Sequence, residues 1–361
     1  MRTSTSSWAT ASSMSFEVIE QSLNAARDEA IAVLNQTRRH ATDEARFDWL
    51  YRGNPDGEAV LWAVRKVATG EMAGFTVALP RRMMVDGQLR TCWNGADFSI
   101  RPEFRALGPA IKLRRAAKVG IDAGRADFLY AHPNERMAVI HSKVGHFPVG
   151  RMRRYAKVLR SGPYIERKVG NKRVAAAAGT IIDPLVRLAG RESRHRSKLD
   201  IAAVSPARFD DRYDRLFEEH TNCSRVVGVR DARYLNWRYA ENPLYQTHAL
   251  EAREGNRLLG YLLFIAESDV LQIKDVFPPG NEAAARDLIA GVIREGRKRR
   301  LQSASITTLE GNSLDPLLAE FGFHPRAETS EMFAYAPESS PLRDVVLDAH
   351  SWFVTVGDRD V

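Results

Sequence analysis

The sequence has 361 residues, of which 44% are hydrophobic and 27% are charged, and its net charge is +8. This composition is typical of a globular protein and excludes a disordered or fibrous chain. The two cysteines, Cys92 and Cys223, have no partner at a metal-ligand spacing, which excludes a disulfide framework and a cysteine zinc site. No apolar run approaches the roughly 20 residues of a transmembrane helix. We therefore expect a cytoplasmic protein that holds no metal.

The predicted elements begin after residues 1–14, a Ser/Thr-rich tail that we expect to be disordered. Apolar residues at helical spacing predict one helix over residues 15–40. Alternating patterns predict strands at 60–65, 73–79, 90–101, 127–131 and beyond Gly145, with helices at 109–124 and after Asn134. The same order of elements recurs between residues 247 and 321. Antiparallel strands followed by alternating strands and helices predict an α/β fold with a mixed sheet.

A repeated motif indicates that the chain contains one domain twice. The pattern W-x-Y-x-x-N-P starts at Trp49 and again at Trp237, an offset of 188 residues. Three further pairs have offsets of 178, 178 and 177 residues: Asp97 with Asp275, Asn134 with Asn312, and Gly145 with Gly322. An ordered series at nearly constant spacing predicts a tandem duplication. We expect domains at 15–155 and 205–336, a basic connector at 156–204, and a C-terminal segment at 337–361 that docks on one of them.

A glycine-containing loop is predicted between the strand that ends at Ile100 and the helix that follows. Its residues read R-x-x-G-x-A from Arg105 to Ala110. A strand that turns through glycine into a helix leaves several backbone N–H groups unpaired at the positive end of the helix dipole, where a pyrophosphate can bind. Gly108 lets the backbone approach the ligand closely, and Arg105 adds a charged donor for phosphate oxygens. Pro109 removes one N–H group from this set.

The run from Asp97 to Ala110 resembles the acyl-CoA-binding motif of the GNAT N-acyltransferases, [Q/R]-x-x-G-x-[G/A], and the segment from Asn134 to Phe147 resembles the closing segment of that family. The resemblance implies two GNAT-like domains in tandem and transfer of an acyl group, such as acetyl, from acyl-CoA to an amine. Bacterial tandem proteins of this kind suggest an amino sugar or a cell-surface precursor as the acceptor. The residues that would bind acyl-CoA are Phe98, Ser99, Ile100, Arg105, Ala106, Leu107, Gly108, Pro109, Ala110 and Asn134. The second domain lacks the loop, since Arg286 stands at the position of Gly108.

Two residues are the candidate catalytic groups. Asp97 precedes the loop and would take the proton from the attacking amine, although its recurrence as Asp275 also fits a structural role. His141 stands where the family usually has a tyrosine that protonates the leaving thiolate, and an imidazole with a pKa near ~6.5 suits that task. A helix-surface histidine without a role is the alternative. His132 and Tyr130 are further candidates for the base.

The basic segment 151–200 predicts contact with a polyanion. Its 14 Lys and Arg residues stand against four acidic residues, an excess larger than the net charge of the whole chain. Within it, the uncharged stretch 174–182 fits an amphipathic helix on an anionic membrane surface, or a helix that packs on a neighbouring domain. An acyl carrier protein or the inner membrane would suit this segment. A solvated connector without specific contacts is the alternative.

Two other functions fit the sequence. The chain also resembles the Fem-type peptidoglycan-bridge transferases, which pair two GNAT-like domains and take their acyl group from aminoacyl-tRNA. The basic segment would then bind tRNA, whereas no other nucleic acid is expected. The R-x-x-G-x-A loop argues against this function, because a tRNA donor needs no pyrophosphate site of that kind. A non-catalytic module that binds a polyanion is the third hypothesis. In the first hypothesis, the acceptor would lie in the groove between the two domains.

Overall fold

The computed structural model of the protein describes residues 15–38, 41–105 and 107–360. The first part of the chain forms β1 (Phe16–Gln21), α1 (Leu23–Thr37), α2 (Glu44–Phe47), β2 (Val60–Lys66), β3 (Met72–Val85), β4 (Gln88–Ile100), α3 (Leu107–Asp122), β5 (Phe128–Ala131), α4 (Glu135–Lys143) and β6 (Phe147–Val158). Three helices follow: α5 (Gly162–Val169), α6 (Lys172–Ala189) and α7 (Arg191–Arg194). Among the described residues, no helix is both long and apolar enough to cross a membrane.

The second part of the chain repeats this order of elements. It forms β7 (Asp200–Val204), α8 (Asp211–Glu218), β8 (Val226–Gly228), α9 (Ala232–Leu235), β9 (His248–Glu254), β10 (Arg257–Glu267), β11 (Val270–Phe277), α10 (Glu282–Lys298), β12 (Ser303–Leu309), α11 (Asp315–Glu320) and β13 (His324–Tyr335). The chain then continues through α12 (Arg343–Leu347) and β14 (Trp352–Phe353). The expected mixed α/β fold is confirmed.

The single helix predicted over residues 15–40 is wrong at its start. Residues Phe16–Gln21 form β1, which pairs antiparallel with β2. Phe16 and Val18 both pack on the hydrophobic cluster beneath α3. Their spacing of two residues is the period at which side chains of a strand return to the same face. The helix begins only after Ser22, whose side chain accepts a hydrogen bond from the Ala25 N–H and so caps α1.

One twisted mixed sheet runs through the molecule. Its strands lie in the order β1-β2-β3-β4-β5-β13-β6-β12-β11-β10-β9-β7. The pairs β4–β5 and β11–β12 are parallel, and the other neighbours on this path are antiparallel. The last strand of each part has changed sides, because β6 pairs with β12 and β13 pairs with β5. The two parts are therefore joined by an exchange of strands.

The repeated W-x-Y-x-x-N-P motifs meet at the contact between the two parts. The indole Nε1 of Trp49 donates to the carbonyl oxygen of Trp237 at 2.7 Å, and that of Trp237 donates to the carbonyl oxygen of Trp49 at 2.8 Å. The two rings stack with their centres 5.6 Å apart. Reciprocal contacts of this kind are those of a local two-fold axis, so the duplication has a structural counterpart.

A gap opens in the sheet between β4 and β5. The two strands pair from Cys92–Phe128 to Gly95–Ala131, and β4 then continues without β5 to Ile100. A β-bulge lies in the same part of β4, because its register with β3 shifts between Phe75 and Val77 and Asp97 has a φ of 42°. Helix α1 packs on one face of these strands and α3 on the other. The gap therefore lies between two helical layers.

The corresponding region of the second part is filled by the chain itself. A 3₁₀ turn, Val356–Asp358, packs on β11 and β12. The Thr355 hydroxyl donates to Asp275 at 3.0 Å, and Arg230 donates to Asp358 at 2.6 Å. The carbonyl oxygen of Asp358 then accepts a hydrogen bond from Tyr130 of β5 at 2.8 Å. The C-terminal segment thus occupies the second part and reaches the first.

The basic residues of segment 151–157 belong to the sheet and not to a connector. Arg153, Arg154 and Lys157 lie within β6. Each has an acidic partner, since they form ion pairs with Glu310, Glu328 and Glu192 respectively. Arg151, which also lies in β6, has no ion pair with a described residue, and the other basic residues of the segment lie from Arg160 onward.

Candidate active site

The gap between β4 and β5 is a cleft with a volume of ≈ 140 Å³. Residues from distant parts of the chain line it. They come from α1, β4, α3, the β5–α4 turn, α4 and the C-terminal segment, and the polar ones include Arg38, Asp97, Arg114, His132, His141 and Asp360. Five of these six residues belong to the first part of the chain, and Asp360 belongs to the C-terminal segment.

One end of this region is the predicted loop. Phe98, Ser99 and Ile100 are the last residues of β4, whereas Leu107, Gly108, Pro109 and Ala110 form the first turn of α3. Arg105 lies between them, exposed, with its Nε donating to the carbonyl oxygen of Ile100 at 3.3 Å. Ala106 lies outside the described residues. The first-turn N–H groups of α3, except that of Pro109, are the orphan donors of a helix start.

Gly108 faces open space. A Cβ atom placed on it would meet no atom of the described structure within 4 Å. The glycine is therefore not required by the packing of the described residues. Asn134, which was expected near acyl-CoA, lines the cleft and caps α4, because its side-chain oxygen accepts from the Met137 N–H at 3.0 Å.

Asp97 is fully engaged by neighbouring donors. Its carboxylate accepts hydrogen bonds from Arg46 at 2.9 and 3.1 Å, and also from Arg38 and the hydroxyl of Tyr51. Burial, together with the charge of Asp97, raises the pKa of Tyr51 well above its usual value, so this hydroxyl keeps its proton and donates. A carboxylate held by two guanidinium groups and a phenol has no oxygen free for an amine. Asp275 is bound in the same way, by Arg230, Tyr261 and Thr355.

His141 is buried, and the alternative of a surface histidine is therefore wrong. It is 1% exposed, and its Nδ1 lies 2.9 Å from Nδ1 of His146. Burial lowers the pKa of His141 well below 6.5, and the positive charge of Arg114 adds to this effect. The expected pKa near the unperturbed value is consequently wrong. The imidazole is neutral at pH 7 and cannot act as a cationic acid.

Asp360 is the carboxyl group of the cleft whose environment suits a base. Burial raises its pKa, and the negative charge of Asp97 raises it further. A carboxylate with a raised pKa holds a proton more firmly than an exposed one. The other candidates are less suited to this role. Burial lowers the pKa of His132 to about 3, and Tyr130 is buried, its pKa raised, with its hydroxyl donated to Asp358.

Arg114 is the second feature that the sequence did not reveal. It lies on α3 and is 2% exposed, and its Nη2 donates to the Thr76 hydroxyl at 3.2 Å. Its Cζ lies 5.4 Å from the centre of the Phe98 ring. No sequence pattern marks Arg114 or Asp360, since Arg114 is one of four basic residues of α3 and Asp360 lies beyond every predicted element. His146, five residues after His141, is the one partner that spacing suggests.

Comparison with known proteins identifies the fold. No protein-family model and no curated protein sequence matches the chain. Solved structures do match. A GCN5-related N-acetyltransferase from Anabaena variabilis aligns over 89% of this chain and 73% of its own, with 14% identity and a TM-score of 0.64. A probable N-acyltransferase from Enterococcus faecalis aligns over 90% and 72%, with 13% identity and a TM-score of 0.64.

A eukaryotic enzyme has a similar structure. Saccharomyces cerevisiae N-myristoyltransferase with bound myristoyl-CoA aligns over 90% of this chain and 80% of its own, with 11% identity and a TM-score of 0.55. At these identities the similarity concerns the fold. The chain has the GNAT-like fold of the N-acyltransferases, as the loop and closing segment predicted.

Proposed function

We propose that the protein is an acyl-CoA-dependent N-acyltransferase with one active site per chain, in the cleft between β4 and β5. The observation that supports this proposal is that β4 continues beyond its last pair with β5, at Gly95, and then leads through the loop into the start of α3. The orphan backbone donors of a helix N-terminus therefore follow, along the chain, the strand that lines a cleft containing carboxylates. That arrangement suits a ligand with phosphates at one end and a reactive group at the other.

The pyrophosphate of CoA would bind at the first turn of α3. The N–H groups of Leu107, Gly108 and Ala110 lie in the first turn of α3, where they have no acceptor within the helix. Arg105 supplies positive charge nearby. The pantetheine arm would then lie along the edge of β4 between Ala96 and Ile100, where β5 has diverged. The peptide groups on that edge offer hydrogen bonds of the kind that a β-strand makes with an added extended chain.

Asp360 is the base in this proposal. An amine attacks the thioester carbonyl carbon, the C–S bond breaks, and the proton released by the nitrogen passes to the Asp360 carboxylate. Asp97 is assigned a positioning role instead, because its oxygens are occupied by Arg38, Arg46 and Tyr51. His141 would serve as a neutral hydrogen-bond donor toward the sulfur as the thiolate leaves.

The second part of the chain would be an inactive copy. Its region equivalent to the active cleft holds Val356–Asp358, and the position of Gly108 is taken by Arg286, whose guanidinium pairs with Glu282 and Glu320. We therefore propose two GNAT-like domains in tandem, at 15–155 and 205–336, of which the first binds acyl-CoA. The acceptor would enter the cleft between the two, and an amino sugar or cell-surface precursor is the expected class.

A surface on α6 supports contact with an anionic membrane. Val174, Ile181, Leu185 and Leu188 are between 49% and 70% exposed. Lys172, Arg173 and Arg187 lie exposed on the same helix, and the preceding helix adds Arg167 and Lys168. Apolar side chains flanked by cations match the interface of an acidic lipid bilayer better than they match water. We propose that this α6 surface holds the protein at such a membrane.

Calorimetry with acetyl-CoA tests the proposed function. One binding site per chain is expected, and Asp360→Asn should leave the affinity unchanged while lowering turnover of an amine acceptor by roughly 10²-fold or more. A panel of amino sugars, amino acids and polyamines, followed by thiol release, would identify the acceptor. Two sites per chain would contradict the inactive second copy. Absence of binding by any CoA thioester would reject the proposal, and binding of acyl carrier protein or aminoacyl-tRNA instead would identify the donor.

A further inference from the structure

Arg114 is a buried cation with open hydrogen-bonding capacity. Its Nε and Nη1 have no hydrogen-bond partner among the described residues, although both atoms are inaccessible to solvent. Its one hydrogen bond goes to a neutral hydroxyl, that of Thr76. Burial lowers the pKa of Arg114 to about 10, which still leaves the guanidinium charged at neutral pH. The charge of Asp360 acts on Arg114 and raises its pKa, but no carboxylate of the described residues is in contact with the guanidinium.

Three other buried arginines have carboxylate partners, and the buried Arg238 donates to the carbonyl oxygens of Gly357 and Arg359. Arg46 binds Asp97, Arg81 lies 3.4 Å from Asp56, and Arg230 binds Asp275 and Asp358. A buried charge without a partner destabilises the folded state. The fold also reserves the room for Arg114, because a Cβ atom on Gly95 would lie 2.6 Å from its Nη1. An unpaired arginine that is accommodated in this way, at the wall of a cleft, indicates a ligand with negative charge.

The position of Arg114 shows which part of a ligand would reach it. Arg114 lies on α3, on the face of the sheet opposite the cluster formed by Arg46, Tyr51 and Asp97. It also lies on the Gly95 side of Phe98, away from the Ile100 end at which the phosphates would bind. A thioester placed beside the bulge of β4 therefore directs its acyl chain, and not the attacking amine, toward Arg114.

We propose that the acyl group of the donor ends in a carboxylate, as in a succinyl or glutaryl thioester, and that Arg114 binds this carboxylate. The inference rests on the proposed function and specifies its donor. The bound carboxylate supplies the missing counterion and accepts hydrogen bonds from the open N–H groups of the guanidinium. His132 and His141 line the same cleft as neutral rings, so they neither repel the carboxylate nor compete for Arg114.

Donor selectivity of the unmodified protein is the first test. Affinity and kcat/KM are measured for acetyl-, butyryl-, succinyl- and glutaryl-CoA with one amine acceptor. We expect one of the two dicarboxylic donors to be preferred by about 10- to 100-fold over butyryl-CoA, the range for a hydrogen bond to a charged group. This measurement needs no variant, so it stands even if Arg114 cannot be replaced without loss of folding.

Arg114→Met assigns the preference to this residue. The variant should lose about 10²-fold in kcat/KM for the preferred dicarboxylic donor while keeping or gaining activity with butyryl-CoA. Arg115→Met, an exposed neighbour on the same helix, is the matched control and should change neither. An equal loss with every donor would overturn the inference and place Arg114 at the thioester instead.

The failure of this inference is distinguishable from failure of the proposed function. Binding and turnover of acetyl-CoA at least as good as those of both dicarboxylic donors would overturn the carboxylate assignment and leave the acyltransferase in place. Binding of none of the four thioesters would reject both. Preference for succinyl- or glutaryl-CoA that survives in Arg114→Met would show that another group reads the carboxylate.

Discussion

His132 makes stability dependent on pH in a calculable way. Neither ring nitrogen has a partner among the described residues, and the side chain is 8% exposed. Burial, with a contribution from the charge of Arg359, lowers the pKa of this imidazole to about 3, whereas an unfolded chain has a value near 6.5. At a pH between these two pKa values, His132 binds a proton in the unfolded state but not in the folded state. The free energy of unfolding therefore falls as the pH falls through this window.

The size of the effect follows from the two pKa values. Each pH unit below 6.5 costs about 1.4 kcal/mol for one such histidine, so pH 5.0 costs about 2 kcal/mol relative to neutral pH. His146 has a pKa lowered to about 3, chiefly by burial, and should add a similar amount. The full contribution of both residues is present above pH 6.5 and declines steadily toward pH 3.

Urea unfolding at pH 7.5, 6.5, 5.5 and 5.0 at constant ionic strength measures this effect. His132→Gln removes the titrating group, so the loss of unfolding free energy between pH 7.5 and 5.0 should be smaller by about 2 kcal/mol than in the unmodified protein. His350→Gln, at an exposed position, is the control and should retain the original pH dependence. Identical pH dependence for His132→Gln and the unmodified protein would refute the reasoning.

Two further changes test the phosphate site and the α6 surface. The Gly108→Asp variant should keep the melting temperature of the unmodified protein, because its Cβ meets open space. It should bind acetyl-CoA at least ~10-fold more weakly, because it places a carboxylate at the α3 N-terminus. Gly108→Ala is the uncharged control, and an unchanged affinity for Gly108→Asp would contradict the site. The unmodified protein should sediment with phosphatidylglycerol vesicles at low salt but not with phosphatidylcholine vesicles. Replacing Ile181, Leu185 and Leu188 with Ser should abolish sedimentation with phosphatidylglycerol vesicles. Absence of vesicle binding by the unmodified protein would reject the membrane contact.

Local patterns predicted the elements well and their partners poorly. The strands around residues 60–131 and the loop into α3 were found because alternation, helical spacing and a glycine turn are properties of neighbouring residues. The helical spacing of α1 continues into residues 15–21, which form β1, because the Ser22 cap that separates the two elements does not interrupt the apolar pattern. The exchange of β6 and β13 has no local signal, since it depends on pairing between residues at least 145 positions apart.

The candidate site shows the same division. Asp97 and His141 were identified from their positions, but the donors that occupy Asp97 come from α1, α2 and the turn after it, and only folding brings them together. The pKa of His141 could not be read from the sequence because it depends on burial and on the charge of Arg114. Asp360 lies at least 219 positions from the other residues of the cleft, and no spacing rule connects them.

The exchange of strands has a consequence for synthesis of the protein. When the ribosome has made β6, the place beside it is empty until residues 324–335 exist, and β12, its other neighbour, follows only at residues 303–309. A nascent chain of 200 residues therefore lacks the strands that cover both edges of β6 and one edge of β5 in the complete fold, and exposed edges invite wrong pairing. The cleft is also incomplete at that stage, because Asp360 arrives last. If Asp360 is the base, as proposed, catalysis requires synthesis through residue 360, and a prematurely terminated product would be inactive as well as prone to aggregate.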